Sequence, residues 1–101
     1  MLKLDKIHQG DCLELLNKID DNSIDLIFLD PPYNLQLNKE LTRPNHSVVT
    51  GVSQDWDKFD NYTSYDEFTL SYLKNCKRIL KNDGSIWVIG SYHNIFRIGK
   101  I

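Results

Sequence analysis

Hydrophobic and polar positions change rhythm several times along the chain. Lys3 to His8 alternates weakly around Leu4 and Ile7, which predicts a short strand broken by Gly10-Asp11. Asp11 and Glu14 give the D-x-x-E form of a helix start, and Leu13, Leu15, Leu16 and Ile19 supply an apolar face behind it. Asp20-Asp21-Asn22-Ser23 is a turn-rich cluster. Ile24 to Leu29 is β-compatible and interrupted only by Asp25, so it predicts a strand buried on both faces, as in a parallel sheet.

The pattern dissolves between Asn34 and Asn61, where Leu35, Leu37, Leu41, Val48, Val49, Val52, Trp56 and Phe59 scatter among polar residues, with Pro44 and Gly51 as breakers. A loop of that length in a compact domain is functional or disordered. Starting directly after a rigid turn, it is expected to be a flap over a substrate rather than a plain surface loop. Ser64-Tyr65-Asp66-Glu67 has the form of a capping box. Tyr65, Phe68, Tyr72, Leu73, Cys76, Ile79 and Leu80 then recur at helical spacing, with Lys74, Lys77, Arg78 and Lys81 on or near the other face. That stripe is expected to be core, with Asn82-Asp83-Gly84 ending the helix. Ser85 to Ile89 predicts a second buried strand, and Gly90-Ser91 leads to a helix around Asn94 to Ile98, which the pattern leaves in mid-element at Ile101. Strand, helix, strand, loop, helix, strand and helix in that order predict an α/β fold with a mostly parallel sheet and right-handed crossovers.

Composition narrows the setting. The 101 residues allow one domain at most, and 41% hydrophobic with 26% charged residues is ordinary for a globular chain. No run approaches the roughly 20 apolar residues that span a bilayer, and Met1 to Lys6 lacks a signal-peptide core. A cytoplasmic protein with no membrane partner is expected. Cys12 and Cys76 have no CxxC or histidine at ligand spacing and are expected to be reduced thiols, with no metal site. A net charge of −2 argues mildly against a free-standing nucleic-acid binder, so any such contact needs local basic loops or more chain.

In open α/β sheets ligands bind beyond the carboxyl ends of strands. Three such ends are expected: Gly10-Asp11, Asp30-Pro31-Pro32-Tyr33, and Gly90-Ser91-Tyr92-His93-Asn94. Neither GxxxxGK nor GxGxxG is present, so no nucleotide-phosphate loop is visible. The strand-end acids suit amino or hydroxyl groups instead. Two prolines stiffen the exit from the second strand and cannot donate to a ladder. An exocyclic amino group on a purine is a poor nucleophile because its lone pair is delocalised. Two acceptors, the Asp30 carboxylate and the Pro31 carbonyl, could hold its N–H groups and localise that pair. Tyr33 offers a face for the base, a contact worth roughly 1–3 kcal/mol, and the base would have to leave its duplex to arrive. The alternative for the tetrapeptide is a rigid strand exit with a packed tyrosine. Asp11 suits a helix cap, His93 and Asn94 suit a cap or polar surface, and Trp56 and Trp87 suit core or packing.

Asp30-Pro31-Pro32-Tyr33 resembles the catalytic tetrapeptide of amino-methyltransferases that use S-adenosylmethionine. With Asn34-Leu35-Gln36-Leu37, Trp56-Asp57-x-Phe59, Arg78-Ile79-Leu80-Lys81 followed by Gly84, and the string Trp87 to Arg97, essentially the whole chain resembles the N-terminal part of the β-class N6-adenine DNA methyltransferases. The branch it resembles is the cell-cycle-regulated, GANTC-methylating one, to which the HinfI-type modification enzymes of restriction-modification systems are related. The resemblance implies a partial Rossmann-like, S-adenosylmethionine-dependent methyltransferase fold. In that circularly permuted family the target-recognition part and the cofactor loop follow later, so both, and the central strands, are expected to be missing from this chain.

It also implies site roles. Asp30 and Pro31 would hold the target amino group, Pro32 would stiffen the turn and Tyr33 would stack on a flipped adenine in double-stranded DNA. Asp11 and Cys12, with Asp30 and Pro31, would face the cofactor. Residues 34–61 would face DNA, with Asn34, Lys39, Arg43 and His46 as candidate contacts. The full-length protein would act at the nucleoid, with a homodimer one of its states, and residues 1–101 alone would be inactive. An RNA amino-methyltransferase and a non-catalytic DNA-interaction module of the same fold are the alternatives.

Overall fold

The computed structural model describes residues 1–34, 41–42, 48–49 and 59–101, with backbone alone for 41–42 and 48–49. The elements are α1 (Cys12–Asn17), β1 (Ile24–Leu29), β2 (Leu41–Thr42), β3 (Val48–Val49), α2 (Tyr62–Ile79), β4 (Leu80–Val88) and α3 (Ile95–Lys100). β1 and β4 form a parallel pair in which Ile27 lies beside Ile86, Phe28 beside Trp87 and Leu29 beside Val88. β2 and β3 form a separate antiparallel pair, an ordered feature inside the span expected to be loop. This is an α/β arrangement with the expected parallel pairing.

α1 starts where Asp11 predicts it. The Asp11 carboxylate accepts from the Leu13 and Glu14 N–H groups, satisfying two of the donors that a helix start leaves open. Asn22, at φ 51°, turns the chain into β1. The 18-residue α2 carries the core: Tyr65, Thr69, Tyr72, Cys76 and Ile79 are buried on one stripe, and α1 packs against it. Thr69 fits this stripe because its hydroxyl donates to the Tyr65 carbonyl within the helix.

Four expectations are corrected. Lys3 to His8 forms no strand; Leu4 and Ile7 are exposed, and a segment without a ladder partner has nothing to hold it extended. Asn61, rather than Ser64, caps α2, taking the Ser64 N–H at 2.8 Å. α2 ends at Ile79, because Leu80 pairs with Ile24 and draws residues 80–84 into β4 across a bulge. β1 is covered on one face only. Leu29 shares a cavity with Phe68 and Tyr72 of α2, whereas Phe28 and Trp87, side by side on the other face, are both 64% exposed. Trp87 is therefore not a core residue.

Candidate active site

β1 delivers Asp30 to the carboxyl end of the parallel pair. The following strand end lies beside it, since the Ile89 N–H donates to the Leu29 carbonyl at 2.8 Å. Pro31 and Pro32 then carry the chain away from the ladder. The Tyr33 hydroxyl folds back to donate to Asp30 Oδ1 at 2.9 Å, so the acid and the ring of the tetrapeptide are held as one unit. Among the described residues Asp30 Oδ2 and the Pro31 carbonyl accept no hydrogen bond, which leaves two acceptors free on the same turn. The Asp30 carboxylate, by accepting from Tyr33 and by its charge, holds the phenol's pKa above its ordinary value.

Asn34 sits next, at φ 56°, a left-handed conformation that asparagine tolerates better than most residues. It turns the chain, and its Oδ1 accepts from the Phe59 N–H at 3.3 Å, joining the two ends of the intervening segment. Lys39, Arg43, His46 and Trp56 lie outside the described residues.

A cavity of about 300 Å³ opens behind the turn. Cys12 and Leu16 of α1, Leu29, the Asp30–Pro32 turn, and Phe68 and Tyr72 of α2 line it. The helix N-terminus at Asp11–Cys12 and the acidic turn, which the sequence places on separate strand ends, thus meet at one cavity, although no strand precedes Asp11. Its lining is mostly apolar with one carboxylate at the rim, the pattern of a site for a flat ring carrying polar groups. That fits the adenosyl end of S-adenosylmethionine. Burial, then the Asp11 charge, raises the pKa of the Cys12 thiol, so it faces this cavity as neutral S–H.

Two residues close to the turn carry more than a cap-or-surface or core reading gives them. Tyr65, 2% exposed, donates its hydroxyl to the Pro32 carbonyl at 2.8 Å. Asn94, 1% exposed, donates through Nδ2 to the Tyr65 hydroxyl at 3.2 Å. The signal for Asn94 lay in the string after β4; nothing in the helical spacing of α2 marks Tyr65 as different from its apolar neighbours. His93 is at the surface, its ring stacked on Tyr92 at 4.1 Å. Ser91 is half-buried and its Oγ lies 3.3 Å from His93 Nδ1.

Comparison with known proteins places the chain among DNA methylases. A family profile described as DNA methylase matches residues 24–101. The chain is 54% identical over 98 residues to the Type II methyltransferase M.HinfI of Haemophilus influenzae, covering 97% of this chain and 27% of that protein. It is 42% identical over 96 residues to the Type II methyltransferase M2.MboI of Moraxella bovis, covering 94% of this chain and 34% of that protein. The chain therefore spans between 27% and 34% of the length of these curated relatives.

Proposed function

The chain belongs to the DNA methylase family, and from that premise we propose that it supplies the amino-acceptor side of an adenine-N6 DNA methyltransferase. The observation that carries this reading is the turn itself. Asp30, oriented through Oδ1 by the Tyr33 hydroxyl, and the Pro31 carbonyl present two open acceptors at the rim of an apolar cavity. A flipped adenine laid against the Tyr33 ring would place its N6 amino group between them. Each N–H then has an acceptor, the nitrogen lone pair is localised, and the carboxylate opposes the positive charge that builds on nitrogen as its bond to carbon forms. The nitrogen sheds one proton for the methyl it gains, and Asp30 Oδ2 is the acceptor at hand.

S-adenosylmethionine would supply an electrophilic methyl on a sulfonium that leaves as a neutral thioether. Cys12, Leu16, Leu29, Phe68 and Tyr72 would enclose its flat end, with Asp11 at the helix start beside it. Asn34, Lys39, Arg43 and His46 complete the reading as DNA contacts, GANTC as the target and a homodimer as a state of the full-length protein. The 101 residues alone are expected to transfer no methyl.

The test uses the intact protein, tritiated S-adenosylmethionine and duplexes with or without GANTC, followed by nucleoside analysis. N6-methyladenine confined to GANTC duplexes, and lost in Asp30→Ala while DNA binding persists, is the expected result. Methylcytosine, methylated RNA only, or full turnover by Asp30→Ala would overturn it.

A further inference from the structure

We infer that Tyr65 and Asn94 are positioning residues that lock the Pro31 carbonyl in place, an assignment that rests on the methyl-transfer reading for its consequence but not for its geometry. Asn94 opens the chain of contacts. The Ser91 N–H donates to its Oδ1 at 2.8 Å, and that contact sets the amide's orientation, because a backbone N–H requires an oxygen. Nδ2 is then a donor, and it points at the Tyr65 hydroxyl at 3.2 Å and at the Pro32 carbonyl at 3.5 Å. Its oxygen accepts from Asn94, and Tyr65 donates its own proton to the Pro32 carbonyl at 2.8 Å. The result is a directed relay, Ser91 to Asn94 to Tyr65 to Pro32, with both side chains inside the protein.

Pinning the Pro32 carbonyl matters because of the proline rings. The ring of Pro32 already fixes its φ. Its ψ is the one soft angle between the Pro31–Pro32 peptide and the Pro32–Tyr33 peptide, and the hydrogen bond from Tyr65 sets it. The Pro31 carbonyl, the second acceptor of the proposed site, then has no independent freedom relative to α2. The acceptor is built on the stiffest available backbone and held from a helix rather than from a loop.

Neighbouring contacts hold the relay itself. Arg97 makes two hydrogen bonds to the Asp66 carboxylate, at 2.7 and 3.1 Å, and lies 4.3 Å over the Tyr62 ring, tying α3 to α2. Phe59 packs edge-on to the Tyr65 ring at 5.1 Å. Gly90 leaves the room Asn94 needs, since a Cβ there would come within 3.0 Å of Asn94 Oδ1 and 2.7 Å of Ile95 Cδ1.

The test compares wild type, Tyr65→Phe, Asn94→Ala and the control Ser71→Ala in the intact protein. Ser71→Ala removes an exposed hydrogen bond from the same helix. Amide order parameters of Asp30, Tyr33 and Asn34 should fall in Tyr65→Phe and in Asn94→Ala but not in Ser71→Ala. In the same proteins kcat should fall about 10- to 100-fold in Tyr65→Phe, with KM for DNA and for S-adenosylmethionine within about threefold and the melting temperature lower by several degrees, the cost of the lost buried hydrogen bonds. Tyr65→Phe keeps the ring, so it decides the matter if Asn94→Ala does not fold. Unchanged order parameters in Tyr65→Phe overturn the lock. Looser amides with unchanged kcat overturn its role in positioning. A wild type that methylates no adenine overturns the proposed function, while the order parameters still decide the lock.

Discussion

The Tyr33 hydroxyl and the Asp30 carboxylate are hydrogen-bonded at 2.9 Å within one tetrapeptide. The two groups proposed to grip the same base therefore also orient each other. Removing the hydroxyl alone should leave the ring for stacking and cost only the orientation of the acid. Tyr33→Phe is expected to lower kcat a few-fold with little change in DNA affinity. Tyr33→Ala should also lose the stacking face, roughly 1–3 kcal/mol or about 5- to 150-fold in kcat/KM. Because Asp30 raises the Tyr33 pKa, the phenol stays a donor throughout the neutral range. Ultraviolet difference titration of Asp30→Asn should show one late-ionising tyrosine moving to lower pH, while the later-ionising Tyr72 stays where it is in wild type.

Tyr72 gives a stability prediction with a defined pH window. Its ring is 4% exposed, and its buried hydroxyl has no hydrogen-bond partner among the described residues. Burial first, and the nearby Tyr65 second, push its pKa from 10.0 up to about 12. Between those values the folded chain keeps a proton that the unfolded chain has lost. The contribution to stability is thus complete below pH 10 and disappears as pH rises towards 12. The amount at stake is roughly 2–3 kcal/mol. Tyr72→Phe should remove that alkaline loss and, by deleting an unpaired buried hydroxyl, gain about 1 kcal/mol at neutral pH. Denaturant unfolding of both proteins at pH 7, 10 and 11.5 measures both effects.

The parts of the structure legible in the sequence are those with local causes. β1 runs over the six residues predicted, Ile24–Leu29, because an apolar run lies between a turn cluster and two prolines. α1 begins at the aspartate that caps it. The acidic turn was readable because its chemistry is contiguous. What the sequence did not show depends on partners far along the chain. Leu80 continues the helical spacing of α2, yet Ile24, 56 positions earlier by number, takes it as a strand partner. Trp87 reads as core because apolar strands usually have two neighbours' worth of cover, and here one face of the pair is open. The Tyr65–Asn94–Pro32 relay joins three elements, and no spacing rule connects them.

The two thiols should separate by accessibility rather than by chemistry. Cys76 is 1% exposed, and burial raises its pKa, with Cys12 adding to the effect. Cys12 is exposed at the start of α1, yet burial of its thiol and the Asp11 charge raise its pKa as well. Neither should be a thiolate at neutral pH. A maleimide at pH 7 is expected to label Cys12 more slowly than free cysteine and to leave Cys76 untouched until denaturant is added. A saturating adenosyl ligand should slow Cys12 further, since that residue lines the cavity. Rapid labelling of both thiols in the folded protein would contradict this arrangement.

Arg78 links α1 to the core. Its Nη1 donates to the Ile19 carbonyl at 2.8 Å and to Asp21 Oδ1 at 2.6 Å, and its Nη2 donates to the Leu16 carbonyl at 2.8 Å. One guanidinium thereby satisfies carbonyls at the end of α1 from the last turn of α2. The backbone adds two bonds on the same side, from Asn22 to the Arg78 carbonyl and from Ser23 to the Ile79 carbonyl. The geometry needs a planar fork with several donors. An ammonium of the same charge can reach one or two of these acceptors, so Arg78→Lys is not conservative here. Arg78→Lys should cost about 1–2 kcal/mol, chiefly for weakening the bond to the Ile19 carbonyl, because the Leu16 carbonyl also accepts from the Ile19 N–H. The functional effect should be selective. α1 carries Cys12 and Leu16 into the cavity, whereas the Asp30–Tyr33 turn is held by β1 and by Tyr65. In the intact protein Arg78→Lys should therefore raise KM for S-adenosylmethionine more than it lowers kcat, the reverse of the split expected for Tyr65→Phe. Equal effects of the two substitutions on KM and kcat would mean that the cavity and the acidic turn are not held independently.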